Sequence, residues 1–503
     1  PAVCGRICNR RCEDACTRGT VDQAVAIDEV KRFIAQQDLD AETRFVPEKV
    51  IPKVDGEFGE KIAVIGAGPA GMSCAFYLAE KGYRPTVFEK EERPGGMLMN
   101  GIPSFRLEKD VVEAEIDILR EMGVEFRCGV EVGKDVTIAQ LREEGYQGFY
   151  VAVGLQSGGR LNIPGGEAQG VQAGIDFMRH VNSGLCSKMS GRVVVIGGGN
   201  IGADVARTAL RCGADSVDLY CLEGYEDMPM GEEDRGECER EGITIHAGWG
   251  QTEIVEQDGK CAGIRFRKCL SVKNAEGRFD PKFDDAVTEE TACDMVLYCI
   301  GQKVEWKALL TGTKVEFNPN GTVKADPVTY QTAEPDIFVG GDAYTGQKFA
   351  IDAIAAGKQG AVSLHRWVQH ATLTIGRDRR QFIELDKENA LIAIDSYDNT
   401  SRQQIGYNEA LRKTFRDERV AFTEEQVKKE TARCLGCGAS IVDPNKCIGC
   451  GICTTKCAFD AIHLHRERPE CSTMYKCEDK MKAILPYMIK RNFKIKRATR
   501  KSK

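Results

Sequence analysis

Twelve of the 22 cysteines in this 503-residue chain crowd toward its two ends, and their spacing is that of metal ligation. Cys447, Cys450, Cys453 and Cys457 follow an x2-x2-x3 pattern, the arrangement that places thiolates around a [4Fe–4S] cluster. In chains with two such clusters the fourth cysteine of the run serves the other one. Cys457 is therefore expected to join Cys434 and Cys437 on a second cluster, with Cys471 and Cys477 as further candidate ligands. Structural zinc suits the pattern badly, because six close thiols exceed one tetrahedral site. At the other end, Cys4, Cys8, Cys12 and Cys16 recur every four residues. That period puts the thiols on one face of a helix, and it equally suits a looped cluster site. A thiol-lined helix without metal is the alternative. The scattered cysteines between, such as Cys74, Cys212 and Cys299, sit in apolar contexts and read as inert core residues. A secreted disulfide scaffold would be short and evenly cysteine-dense, so iron–sulfur ligation in a reducing cytoplasm fits better.

Two glycine units carry a second chemistry, the cradling of a pyrophosphate. In residues 61–90 an apolar strand, Ile62–Ile65, runs into Gly66, Gly68 and Gly71, and a helix follows from Pro69 to about Lys81. The first glycine makes a tight turn, the second lets phosphate approach the backbone, and the third lets helix and strand pack closely. The helix start presents free amides to an anion. A second strand, Thr86–Phe88, ends in Glu89, placed to accept hydrogen bonds from ribose hydroxyls. The pattern recurs at Val193–Ile196 with Gly197, Gly199 and Gly202, a helix from about Ile201 and a strand Val217–Cys221. Two such units a domain's length apart imply two dinucleotides, unless one has decayed into scaffold. The glycine-rich 93–107 stretch suggests backbone lying against a flat ligand, the short strand ending at Gly154 returns the chain to the first sheet, and Phe338–Asp342 reads as another buried strand, ending in Gly341-Asp342. The helix from about Phe349 to Val368 aims its positive end where Asp342 points.

The length implies two to four domains. The expected fold is α/β: two Rossmann-like domains, the second inserted in the first, between an N-terminal helical iron–sulfur segment and a C-terminal ferredoxin-like module. The expected boundaries are 1–45 for the iron–sulfur segment, whose helical pattern runs through Ile27, Val30, Phe33 and Ile34, and 46–60 for a linker. The first dinucleotide domain takes 61–185 and 311–370, and the second 186–310. A charged connector spans 371–432, the cluster module 433–480 and a basic tail 481–503. A net charge of −7 argues against a nucleic-acid binder. No apolar run is long enough for a membrane span, and no signal peptide is seen. The basic tail reads as solvated or as a docking arm for an acidic partner subunit. The chain starts at Pro1 inside a cysteine motif, so further sequence is expected upstream.

Together, Gly66–Gly71 with Glu89, the Gly101-Ile102-Pro103 turn, Gly197–Asn200, Glu226–Pro229 and Gly341-Asp342 resemble the glutamate synthase small subunit and its relatives. Those relatives include the N-terminal half of dihydropyrimidine dehydrogenase and the large subunit of NADH-dependent ferredoxin:NADP oxidoreductase. The opening PAVCGRICNRRCEDAC resembles the second half of that family's N-terminal iron–sulfur module, whose first cysteine set is absent here. The resemblance implies FAD at Gly66, Gly68, Pro69, Ala70, Gly71, Glu89, Gly96, Ile102, Gly154, Gly341, Asp342 and Ile351. It implies a nicotinamide cofactor at Gly197, Gly199, Asn200, Ile201, Gly202, Glu223 and Gly301. Cys8, Cys12 and Cys16, with Cys4, would hold a cluster. Two departures stand out: the glutamate synthase small subunit lacks the C-terminal cluster module, and Ala458 replaces the proline usual after the fourth ferredoxin cysteine.

The implied function is an FAD-dependent NAD(P)H oxidoreductase subunit passing electrons through clusters to or from other redox subunits, in an arrangement that allows bifurcation. A glutamate synthase small subunit and a non-catalytic electron-wire subunit are the alternatives. Hydride transfer needs cofactor alignment rather than an acid–base residue, so no catalytic side chain is expected. A C-x-x-C beside either glycine unit is also missing, against a disulfide exchanger. NADP-dependent relatives place an arginine pair where this chain has Leu222 and Glu223. A carboxylate there suits an unmodified ribose and repels a 2′-phosphate, so NAD(H) is expected over NADP(H), unless Arg207 or Arg211 reaches round to the phosphate.

Overall fold

The computed structural model describes residues 1–48, 57–186, 188–377, 397–437, 442, 447–457, 462–464 and 477–501. They divide into two units, Pro1–Asp378 with Ile383–Cys437, and Arg379–Phe382 with Gly438–Lys503.

The first unit is built on two parallel five-stranded sheets. β1 (Lys61–Ile65), β2 (Thr86–Glu89), β3 (Glu125–Cys128) and β4 (Tyr146–Val151) form one, completed by a late strand, Ile337–Val339. In that sheet the late strand lies beside β4, then come β1, β2 and β3. β1 buries four of its five residues and β2 all four, because helices cover both faces and an unbroken Val/Ile/Phe run is what such a strand requires. The helices Pro69–Glu80 and Ala350–Val368 pack against this sheet around Leu78, Tyr150 and Leu364.

After a two-residue strand, β5 (Ser157–Gly158), the chain enters the second sheet. Its strands are β6 (Val171–Ala173), β7 (Arg192–Ile196), β8 (Ser216–Cys221), β9 (Thr244–Ala247) and Met295–Tyr298. The last of these lies between β6 and β7, followed by β8 and β9. An antiparallel meander of β10 (Trp249–Gln257), β11 (Lys260–Lys273) and β12 (Phe279–Thr291) is inserted before β13 (Met295–Tyr298). The return strand β14 (Gln302–Lys303) pairs antiparallel with β5, so the exit and re-entry of the inserted domain form one short ribbon. β15 (Ile337–Val339) then closes the first sheet. The α/β class with an inserted second domain is thus as expected.

The N-terminal cysteines do not share one long helix. Helices Cys4–Ile7 and Arg11–Asp14 and a 3-10 turn, Thr17–Thr20, alternate with loop, and Arg10 at φ 56° reverses the chain between the first two. The looped form is the one adopted. The helix Ile27–Leu39 also differs from its pattern. It buries Asp28, Glu29, Arg32 and Ala35, while Ile34 is 62% exposed. Burying charge requires partners, and Arg32 meets Asp417 at 2.9 Å.

Those partners come from the stretch expected to be a connector. Arg433 is fully buried and reaches Glu430 at 2.6 Å and Asp22 at 3.0 Å. Glu430 also accepts the amides of Ala26 (2.8 Å) and Gln403 (2.7 Å). Arg402 donates to Glu13 at 2.6 Å. Residues 397–437 therefore belong to the packed body of the first unit, and Cys434 and Cys437 go with them.

In the second unit a short helix, Ile452–Lys456, carries Cys453, and Cys447, Cys450 and Cys453 are exposed. A 3-10 turn, Cys477–Asp479, leads into the helix Lys480–Lys501. Cys471 and Ala458 lie outside the described residues. Among the described residues, no helix is long and apolar enough to cross a membrane.

Candidate dinucleotide and cluster site

One cavity of about 1460 Å³ runs along both glycine units. On the first side it is lined by Gly66, Gly68, Pro69, Ala70, Glu89, Gly96, Ile102, Gly154, Gly341 and Asp342. On the second it is lined by Gly197, Gly199, Asn200, Ile201, Glu223 and Gly301. Cys8, between Ile7 and Asn9, forms part of the same wall. Three of the expected cofactor residues do not line it. A Cβ on Gly71 would lie 1.9 Å from the Gly66 carbonyl oxygen, and one on Gly202 2.1 Å from that of Gly197. Both serve helix–strand packing, the part the third glycine was expected to play. Ile351 is absent from the lining and 38% exposed, and Ala350 and Ala353 of the same helix face the cavity instead.

The two cradles fit dinucleotides. A Cβ on Gly68 or Gly199 would meet no atom within 4 Å, so each motif's central glycine opens onto free space beside a helix N-terminus. Glu89 behaves differently from the simple ribose acceptor expected. Its Oε2 accepts the Ala67 amide at 2.8 Å and its Oε1 that of Glu91 at 3.0 Å. The carboxylate thus shapes the glycine turn while still bordering the cavity. Burial pushes its pKa up, against those two amides. Asp342 opens a short helix, Asp342–Thr345, and its carboxyl, largely desolvated, is pushed up to about 6. Its Oδ1 accepts the Lys348 amide at 3.3 Å.

On the second side, Glu223 follows β8 with its Oε2 3.4 Å from where a Cβ on Gly198 would stand, so the carboxylate reaches the glycine loop. Asn200 Oδ1 accepts the Gly231 amide at 3.2 Å and ties that loop to the start of the helix Glu232–Glu241. Arg207 and Arg211 are both engaged elsewhere. Arg207 pairs with Glu237 and Glu241, and Arg211 with Glu241 and, at 2.7 Å, the Thr414 carbonyl.

Sequence reasoning missed a charged seam along this wall. Arg106, in the loop after the Gly101–Pro103 turn, pairs with Asp204 of the helix Asn200–Arg211 and at 2.5 Å with Asp234. It links the loop on the first cradle's side to the inserted domain. Arg419 donates to the carbonyls of Arg6 and Arg106, each at 3.2 Å, and to Asp417 at 2.9 Å. A signal existed in the acidic helix Glu232–Glu241. Asp234, Glu237, Cys238 and Glu241 recur at i, i+3, i+4 and i+7, the spacing of a buried face. Lys109 sits beneath the Ile102 loop and donates to the Leu98 carbonyl at 2.8 Å; burial pulls its pKa down to about 7.

The cysteines fit iron–sulfur ligation by chemistry: Cys4, Cys8, Cys12, Cys16, Cys434, Cys437, Cys447, Cys450 and Cys453 are all free thiols, and Cys457 directly follows the helix Ile452–Lys456. Among the described residues, no three of Cys, His, Asp or Glu converge in a metal-holding arrangement. The N-terminal loop is held against the helix Ala350–Val368 by Arg11, whose guanidinium grips both oxygens of Asp352 at 2.9 and 3.2 Å.

Two parallel sheets, each with a glycine cradle, and one cavity serving both define a two-dinucleotide oxidoreductase. Residues 60–360 match the pyridine nucleotide-disulphide oxidoreductase family, and the chain belongs to it. Residues 1–43 match the dihydropyrimidine dehydrogenase domain II 4Fe–4S cluster family, and 440–463 a 4Fe–4S binding domain. The chain is 35% identical over 390 residues to the NADP(+)-dependent formate dehydrogenase subunit beta of Moorella thermoacetica, covering 74% of this chain and 55% of that protein. It therefore spans about half of that relative's length. The small chain of Escherichia coli glutamate synthase [NADPH] is 31% identical over 392 residues, 73% of this chain and 81% of the relative. The resemblance drawn from the sequence motifs is thereby borne out. The fold is shared with FprA from Mycobacterium tuberculosis, at a TM-score of 0.53 and 19% identity over 62% of this chain and 85% of that one.

Proposed function

We propose that this chain is the FAD-dependent NAD(P)H oxidoreductase subunit of a multisubunit redox complex, exchanging electrons with partner subunits through [4Fe–4S] clusters. The supporting observation is the single cavity on which both glycine cradles and Cys8 open. When bound, a flavin supplies the conversion between hydride, two electrons at once, and the single electrons that clusters carry. The protein's own part is alignment. The Gly68 and Gly199 turns seat two pyrophosphates, and the Arg106 pairs with Asp204 and Asp234 hold the two cradles in register. The N-terminal loop, clamped through Arg11 and Arg419, stands at the flavin-side end. Purification of the complex with its partner subunits, followed by their identification, tests the assignment. A chain that is isolated alone, with no redox partner, speaks against it.

The cofactor is NAD(H) rather than NADP(H) in this reading. Glu223 meets the glycine loop where a 2′-phosphate would suffer like-charge repulsion of several kcal/mol. The two arginines that could answer it are engaged by Glu237 and Glu241. Steady-state reduction of an artificial acceptor with each cofactor is the test. A higher kcat/KM with NADH supports the reading, and Glu223→Arg should then shift preference toward NADPH. Equal or better kcat/KM with NADPH overturns it. In the second unit, Cys447, Cys450 and Cys453 form the core of one cluster. Cys447→Ser in the full chain should lower iron by about four atoms per chain, the content of one such cluster.

A further inference from the structure

The helix Lys480–Lys501 belongs to the second unit, and its composition is the most biased in the chain. Residues 480–503 hold seven Lys, three Arg and no Asp or Glu. The rest of the chain carries a formal −17 against this +10, together the −7 of the whole. At about 100° per residue, Met481, Ile484, Leu485 and Met488 fall within one apolar arc roughly 100° wide. Lys490, Lys494 and Arg497 fall on the opposite arc, and Tyr487 and Phe493 on the two borders between. Met481, Leu485 and Met488 remain 64, 51 and 45% exposed, and the border rings 67 and 71%.

We propose that this helix lies on an anionic lipid surface, with its Met481–Met488 stripe in the headgroup layer and its Lys and Arg side chains at the phosphates. Three features favour lipid over an acidic protein partner. Lysine outnumbers arginine, whereas protein interfaces deplete lysine and enrich arginine. Lys490, Lys494 and Arg497 stand opposite the apolar stripe while Arg491 and Lys496 border it, so the polar face is one of Lys and Arg, as in helices that lie in a membrane plane. The aromatic rings occupy the borders, the depth at which Tyr and Phe meet headgroups. Pro486 removes one amide from the second turn, which an interfacial helix solvated on one side tolerates. Binding would bring the redox complex to a membrane face.

Flotation of the intact holoprotein with vesicles tests this. Vesicles of phosphatidylcholine with about one-third phosphatidylglycerol should carry the protein up, and pure phosphatidylcholine should not. Each cation near such a surface strengthens binding by roughly fivefold. The triple variant Lys490→Glu, Lys494→Glu, Arg497→Glu should thus lose on the order of 100-fold or more in partitioning, and high salt should do the same to wild type. Flavin content and NADH oxidation should stay unchanged in the variant, which shows that the body is folded. Absence of the wild type from the anionic vesicles overturns the proposal. So does flotation of the triple variant like wild type, or cross-linking of the helix to an acidic subunit while vesicles stay bare.

Discussion

Gly68 and Gly71 stand three residues apart in one motif, and the structure assigns them opposite sensitivities. Gly68 has φ −76° and ψ −179°, ordinary extended backbone, and a Cβ there touches nothing within 4 Å. Alanine at such a position gains about 0.4–1 kcal/mol from a stiffer unfolded chain. As the N-cap of Pro69–Glu80 it loses a comparable amount, because alanine caps less well than glycine. Gly68→Ala should therefore leave the flavin-free protein within about 1 kcal/mol of wild type. The same methyl occupies the approach of the pyrophosphate, so FAD should be lost or held far more weakly. Gly71→Ala places its methyl 1.9 Å from the Gly66 oxygen and 3.2 Å from Val64 Cγ1, and backbone must move. Overpacking of this kind costs about 1–3 kcal/mol or more. The assay pairs urea unfolding of the flavin-free proteins with flavin-to-protein ratios after purification. Full flavin in Gly68→Ala, or a stability loss there equal to that of Gly71→Ala, would refute the reasoning.

Asp342 has its carboxyl raised by burial from the usual 3.8 to about 6, so the native state favours the neutral form. That contribution to stability is complete below pH 3.8 and lost as pH rises through 6, a difference of at most about 3 kcal/mol. Asp342→Asn should accordingly raise the Tm of flavin-free protein more at pH 8 than at pH 4.5; an equal gain at both would contradict this. Arg106→Met should strand Asp204 and Asp234 beside the cavity and cost about 3–5 kcal/mol in chemical unfolding. Pairing it with Asp204→Asn should recover part of that loss, and a purely additive double variant would show that the pair is not coupled.

The elements that were legible in the sequence are local ones. A strand, a glycine triplet, a helix and an acid within 30 residues state their own geometry, and both units appear as read, to within a residue or two at most ends. What escaped depends on residues far apart in the chain. Arg32, Arg402 and Arg433 each look like solvated surface residues until Asp417, Glu13 and Asp22 arrive from hundreds of positions away. The helix Ile27–Leu39 was misleading for the same reason: its buried side is charged, and its partners lie in the supposed connector. Glu89 illustrates a subtler limit. Its position was apparent, but its grip on the Ala67 and Glu91 amides follows from the turn it stabilises.

The central claim is that one cavity brings a nicotinamide and a flavin together at an iron–sulfur entrance. Anaerobic titration of the purified holoprotein with NADH, followed through its visible spectrum, addresses it most directly. The account predicts that the flavin band bleaches with about one NADH per flavin and that cluster absorbance then falls as further reductant is added. A flavin that stays oxidised in the presence of excess NADH and NADPH, in protein with full flavin and iron content, would contradict it.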